Sequence, residues 1–381
     1  MKKILCLVLC LCIFFSALCI NVFAEGSLNE VTSLYDYNGD GIINLTDART
    51  VLRVSAGLDQ PRANLIYDLD GQDGAIPTIN DVKIVISIVM GIDVEIANQE
   101  FLLALFTNEL DNVKNTKPGF TKVATNKCDS MIVTTRNAPD PSLNVTNMPF
   151  DQYTKKTCDY LDDTLDQIDN PVGNIFGGLV GLSKEEIAEM RATIAAMRKE
   201  ADELYRPKTK ETTIAKRRSH FATFPINNLP KSCYLKIDDI ASITSKEVTD
   251  DEGNCYIERT VKMKNNTYIG DEFPTGVAKA AERREKIAYA RVFNIPDFSE
   301  TENGKETTVL NSVTFKDGEI VSKIDKLSGI PVYVRYSYTY VSDISTIPSI
   351  DPQTEKPNLE MDSVTTAKVI EEFTINPVTI N

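Results

Sequence analysis

The chain has no tryptophan and a single histidine, His220. Sugar-binding clefts lean on Trp faces, and His is the commonest general base and metal ligand near neutral pH. Both absences count against an enzyme. A glycosidase stays open, because it needs only two carboxylates. Gly-x-Ser-x-Gly and Cys–His patterns are missing as well. His220 lies beside Lys216-Arg217-Arg218 in a polar stretch and reads as an exposed loop residue. Basic residues are the next shortage, 41 Lys and Arg against 55 Asp and Glu, a net charge of −14. Nucleic acid and anionic membrane are poor partners for such a surface.

Long apolar runs are confined to the start. Met1-Lys2-Lys3, an apolar stretch over 4–20 and Ala24 read as a secretory signal over 1–24, cleaved after Ala24. Leu18 stands where a lipobox before Cys19 needs a small residue. Lys2 and Lys3 leave with the leader, which takes the net charge from −14 to −16. No later stretch reaches the eighteen apolar residues of a membrane span. Cleavage leaves Cys128, Cys158, Cys233 and Cys255. Four cysteines allow three pairings. Cys233–Cys255 with Cys128–Cys158 is the favoured set, because Cys233 and Cys255 open two expected strands; free thiols are the alternative.

From Tyr35 the chain runs YDYNGDGIINLTDARTVLRVSAG. Asp36, Asn38, Asp40, Ile42 (through its carbonyl), Asn44 and Asp47 occupy positions one, three, five, seven, nine and twelve of a loop. Calcium takes six to eight oxygens from such a loop, with a glycine at six for the sharp turn, here Gly41. Ala48, Val51, Leu52 and Ser55 predict one stripe of the following helix, and Gly57 its C′ residue. At an offset of 34, Asp81, Val82, Val85-Ile86 and Gly91 repeat Asp47, Ala48, Val51-Leu52 and Gly57. The second loop, YDLDGQDGAIPTINDV, supplies Asp68, Asp70, Asp73 and Asp81. It spans two more positions than the first, with extra residues near Gly71-Gln72 and near Pro77. Its site is expected to be the weaker, or to bind no ion.

Two loop–helix repeats without entering helices resemble the type I dockerin family, over about residues 34–93. The resemblance implies calcium as the bound ion and a cohesin-bearing scaffoldin or surface protein as partner. It places recognition at Leu45-Thr46 and Ile79-Asn80. The two pairs differ, which argues against twofold-symmetric binding, and a purely intramolecular role for the repeats stays open. FTNELDNVKNTKPGFTK, from Phe106, resembles a segment of secreted clostridial and ruminococcal dockerin-bearing proteins whose following domain has no assigned function.

Residues 25–96 are therefore expected to form an all-α calcium module. Residues 97–381 are expected to form an α+β domain, helical over 99–206 and mainly antiparallel β over 230–381. Leu102, Leu105, Phe106 and Val113 predict one face of a helix over 99–114. Residues 139–182 read as loop, including the Gly-rich apolar PVGNIFGGLVGL. Ser183 and Glu186 form a capping box ahead of a long helix. CYLKID, CYIERTVKM, TVLNSVTF, EIVSKI, PVYVRYSYTYV and AKVIEEFTI read as strands. Lys316-Asp317-Gly318-Glu319 reads as a hairpin turn, and VAKAAERREKIAYA as a helix. In the fifth of these strands Val332, Val334, Tyr336, Tyr338 and Tyr340 share one face of a sheet expected to be curved. Such a tyrosine row could cup an apolar ligand or belong to an ordinary core. Asp238-Asp239, Asp250-Asp251-Glu252 and Glu371-Glu372 are neighbours in sequence, and strand neighbours point to opposite faces, so these pairs cannot act on one bond. A non-catalytic accessory protein, secreted or held at the cell surface, leads over a polysaccharide hydrolase and over a carrier of apolar ligands.

Overall fold

The computed structural model describes residues 34–63, 65–71, 76–90, 97–116, 119–138, 140–169, 183–215, 224, 231–299, 301–302, 305–326, 329–346, 349–350, 357–358 and 361–377. The expected leader, Asp73, Gly91, His220 and the stretch 171–182 lie outside them.

The fold is α+β, with an antiparallel nine-stranded sheet and six helices among the described residues. The helices are α1 (Leu45–Ser55), α2 (Ile79–Val89), α3 (Gln99–Thr116), α4 (Phe150–Asp169), α5 (Lys184–Glu203) and α6 (Ala280–Lys286). The strands are β1 (Phe120–Arg136), β2 (Val145–Pro149), β3 (Lys208–Ile214), β4 (Ile240–Thr249), β5 (Cys255–Met263), β6 (Asn266–Ile269), β7 (Thr308–Asp325), β8 (Pro331–Thr346) and β9 (Met361–Pro377). Their order is β2-β1-β9-β8-β7-β5-β4; β3 pairs with the first half of β1, and β6 with the middle of β7. The sheet is open, with β4 at one end. No helix among the described residues is long and apolar enough to cross a membrane.

The tyrosine row lies where the period-two pattern puts it, on the core face, and Val334, Tyr336, Tyr338 and Tyr340 are buried. Protein already covers it. Phe293 packs on Tyr338 at 4.8 Å between ring centroids and on Tyr336 at 6.1 Å, and Phe298 meets Tyr340 at 5.5 Å. An apolar ligand would have to displace these rings.

Several expectations need correction. The stretch 99–206 is not all helical, because β1 and β2 lie inside it. Residues 150–169, read as loop, form α4. Its Cys158, Leu161 and Leu165 recur at helical spacing and pack on Ile194 and Met197 of α5; the many intervening polar residues hid that stripe. CYLKID ends in a single 3-10 turn over Ile237–Asp239 and is no strand. The expected helix over 277–290 is shorter, α6 flanked by 3-10 turns. In α1 the buried stripe is Ala48, Val51 and Val54, while Leu52 is exposed.

No hairpin turn forms at Lys316–Glu319. TVLNSVTF and EIVSKI are one strand, β7, with a bulge where its register against β8 shifts between Ser337 and Thr339. Asp317 takes φ +55° there. The glycine serves close approach: Gly318 N–H donates to the Tyr289 hydroxyl at 3.1 Å, and a Cβ would stand 2.7 Å from the Tyr289 ring.

All four described cysteines are free thiols. Cys255 opens β5 opposite Thr249, at the far end of the β4–β5 hairpin from the segment that carries Cys233. Antiparallel strands rise about 3.4 Å per residue, so that hairpin holds the two cysteines far beyond disulfide reach. Cys158 points at the Ile194 carbonyl in the helical pair, away from Cys128 at the β1 bulge.

Candidate metal centre

Each repeat folds its loop around the aspartate that begins its helix. Asn44 caps α1 with its side chain and Asp47 closes the capping box; Thr78 and Asp81 do the same for α2. A carboxylate at this position also suits the positive end of the helix dipole. Asp47 accepts the N–H groups of Asn38 (3.1 Å) and Asn44 (2.8 Å). Asp81 accepts those of Leu69 (2.7 Å), Asp70 (3.2 Å) and Thr78 (2.6 Å), and the Thr78 hydroxyl (3.0 Å). Asp36 takes the Gly39 N–H at 2.6 Å, as Asp68 takes the Gly71 N–H at 2.7 Å.

These matched bonds set the register between the repeats. Asp36, Asn38 and Gly39 correspond to Asp68, Asp70 and Gly71, an offset of 32. Asn44 and Asp47 correspond to Thr78 and Asp81, an offset of 34. Both additional residues of the second loop therefore fall between Gly71 and Thr78, and three bonds recur in both loops: Gly39 and Gly71 N–H, Asn38 and Asp70 N–H, and Asn44 and Thr78 N–H.

Asp68, Asp70 and Asp81 bring carboxylate oxygens within 4.8 Å of one another, the one such convergence of acidic, His or Cys groups among the described residues. An all-oxygen, multiply anionic set suits a hard divalent cation, and oxygens 2.3–2.6 Å from calcium stand at about that mutual separation. The residues fit a hard divalent cation. In the first loop the polar groups are bonded to one another. Asp36 also accepts the N–H groups of Asp40 and Gly41, the Asn38 amide donates to Asp40, and the Ile42 carbonyl accepts from Asn44. Asp36 and Asp47 are buried there, while Asp40 and Ile42 are exposed. The acids that sequence spacing ranked second are the ones found clustered.

Compared with protein-family models, curated proteins and solved structures, the chain matches none.

The four residues expected to meet a partner, Leu45, Thr46, Ile79 and Asn80, are all exposed at the first turns of α1 and α2. Their surroundings repeat too. Ile42 and Ile76 are 63% and 64% exposed, and Leu45 and Ile79 62% and 55%. Eight of the eleven exposed large hydrophobics among the described residues fall between Ile42 and Met90.

Two polar sites lie in the sheet; the first escaped sequence reasoning, and the second was read there only as one of two acids on opposite faces. The first is a cleft of about 140 Å³ lined by Thr134, Arg136, Asn311, Asp343, Asp362 and Val364. Asp343 pairs with Val364 and Asp362 with Ser345, so the two aspartates are diagonal neighbours on one face, about 7–8 Å apart at the backbone. Asp362 accepts from Ser345 (2.7 Å) and Asn137 (2.9 Å), and Asp343 from Asn311 (3.0 Å). Single acids nineteen positions apart carry no sequence signal until the strands are paired.

The second is Glu371. It lies on the core face of β9 opposite Tyr336, while its neighbour Glu372 accepts from the Tyr333 hydroxyl on the other face. Burial raises the Glu371 carboxyl from 4.5 to about 7, against a hydrogen bond from Asn294 and the charge of Lys122. Lys122 is itself pushed down to about 8 by burial and by Lys210. The hydroxyls of Tyr336 and Tyr338 also feel the Glu371 charge. A folded pKa above the unfolded one means that the native state binds the extra proton. This contribution to stability is complete below about pH 4.5 and is lost as pH rises through 7. Glu371→Gln should match the parent at pH 4 and exceed it by about 1–2 kcal/mol at pH 7.5 in urea unfolding, after a discount for partial solvent access.

Proposed function

We propose that the protein is a secreted calcium-dependent docking protein. Its paired loops hold calcium, its repeated aliphatic face engages a cohesin module on a scaffoldin or cell-surface protein, and its α+β domain serves as an accessory binding domain. The observation that carries this reading is the duplication of exposed aliphatics, Ile42 with Ile76 and Leu45 with Ile79, beside the two acidic loops. Two equivalent apolar spots on a small helical pair form the kind of buried anchor that dominates an interface, once rimmed by polar groups. Leu45 and Ile79 differ in sequence but are both exposed aliphatics, so engagement through either helix is open to the partner. The acidic loops supply the calcium dependence, because they set the first turns that carry these side chains.

The test is direct binding of a purified cohesin module to the whole protein. Chelation with EDTA, or Asp36→Ala together with Asp47→Ala, should weaken binding at least about a hundredfold. That is the loss expected when a central anchor is displaced at a cost of roughly 3 kcal/mol. Leu45→Asp with Ile79→Asp should do the same without altering calcium uptake. Cohesin binding that persists through all three treatments refutes calcium-dependent docking.

A further inference from the structure

The second loop is bonded into the sheet domain as well as to its own helix. Leu69 lies between the two acids Asp68 and Asp70, and its N–H is held by Asp81 at 2.7 Å. Its carbonyl accepts two N–H groups, from Ala97 at 3.1 Å and Asn98 at 3.3 Å. Asn98 is the residue on which α3 starts: its side chain accepts the Phe101 N–H at 2.9 Å and its carbonyl the Leu102 N–H at 3.0 Å. The next residue, Gln99, reaches β4. Its amide accepts the Ile243 N–H at 2.7 Å and donates to the Ile243 carbonyl at 3.2 Å. A series of hydrogen bonds thus leads from the acidic loop through one helix N-terminus to the terminal strand of the sheet.

Packing follows the same path. Tyr35, immediately before the first loop, packs at a tilt against Phe101 with centroids 5.0 Å apart. Tyr37 and Tyr67 meet at 4.9 Å beneath both loops. One continuous set of buried hydrophobic residues includes Val51, Leu69 and Val85 of the repeats, Phe101 and Phe106 of α3, and Ile243, Val261 and Tyr336 of the sheet. An autonomous module would close its own core; this one shares it.

We infer that cation loading of Asp68, Asp70 and Asp81 stabilises the nine-stranded sheet itself, so that a divalent ion sets the stability of the whole protein. The inference rests on the reading that this loop holds an ion. Three carboxylates drawn within 4.8 Å repel one another, and a divalent cation reverses the sign of that interaction. The repulsion acts on Asp68 and Asp70, the two neighbours of Leu69, and therefore on the peptide that holds the start of α3. Since helix start, β4 and core are joined, the free energy of ion binding enters the global unfolding equilibrium. Asp40, on the first loop, bonds only within its own loop among the bonds described, so the two loops should differ in this respect.

The experiment is hydrogen exchange of the whole protein, read by mass spectrometry, in EDTA and in calcium at about a hundred times its dissociation constant. Calcium uptake is measured separately by calorimetric titration. The slowest amides of Ile240–Thr249 and Cys255–Met263 are expected to exchange roughly a hundredfold more slowly with the ion, in step with those of α2. Asp70→Asn should remove most of that slowing and Asp40→Asn little of it. If calcium is taken up but only amides within residues 34–90 slow, the coupling is refuted and the ion site stands. If no calcium is taken up, the ion site is refuted, and the coupling with it. The parent protein alone decides the matter if a variant fails to fold.

Discussion

Replacing Glu109 with alanine should lower the unfolding free energy by about 3–5 kcal/mol, among the largest losses available to a single substitution in this protein. Glu109, on α3, grips Arg259 of β5 with two parallel hydrogen bonds, 2.6 and 2.7 Å, and Arg259 also donates to Ser245 at 2.8 Å. The Arg259 side chain is only 6% exposed and that of Glu109 17%. Burial disfavours the guanidinium charge, and the bonds and field of Glu109 outweigh it, so Arg259 is held above its ordinary value. Removing the carboxylate strands that cation in a site water barely reaches. The cost therefore comes chiefly from the partner left behind. Glu109→Leu combined with Arg259→Met should recover most of the loss, because a buried ion pair seldom beats a well-packed apolar pair. Urea unfolding checks this through a midpoint that falls in the single variant and returns in the double, at constant m-value. A single variant within 1 kcal/mol of the parent would contradict this account.

Asp81→Ala is the second large effect. Its carboxylate accepts four hydrogen bonds, three from backbone N–H groups, and it is 1% exposed. Each stranded buried donor costs about 1–3 kcal/mol, partly relieved by local relaxation, so a loss of about 3 kcal/mol is expected even in chelator. In calcium at a hundred times its dissociation constant the gap should widen by about 2.7 kcal/mol, the linkage term that the variant forfeits. Asp47 accepts two such bonds, so Asp47→Ala should cost about half as much in chelator. Thermal or urea unfolding of both variants with and without calcium measures the four values. Equal losses for the two positions would mean that the hydrogen bonds do not set the scale.

The sequence was most legible where one local period governs. Leu102, Leu105, Phe106 and Val113 are all buried on α3, and the tyrosine face of β8 is buried as its alternation requires. The doubled loop–helix pattern was likewise visible, down to the Asp–helix junctions. Legibility failed where a distant contact decides. Gly318 looks like a turn glycine, yet its role is to admit the Tyr289 ring from a segment nearly thirty residues away. The polar stretch around Cys158 looks like loop until α5 supplies the surface on which Leu161 and Leu165 pack. Counting positions could not place the extra residues of the second loop for a related reason. The longer spacing from Asp68 to Asp81 is absorbed between Gly71 and Thr78, leaving the acids themselves in register. Asp343 and Asp362 share a cleft through strand pairing alone.

The side chain of Gln99 has a bearing on how the molecule meets others of its kind. β4 ends the sheet, and an end strand presents unpaired N–H and C=O groups that invite another chain to add a strand. At Ile243, in the first half of β4, both groups are taken by the one Gln99 amide. A primary amide carries the same donor and acceptor as a peptide unit, so Gln99 stands in for the missing neighbour strand at one position. Further along β4, Lys246 and Glu247 add charge at an otherwise pairable border. The side chain at the first position of α3 thus closes one peptide position of this end strand to an incoming strand.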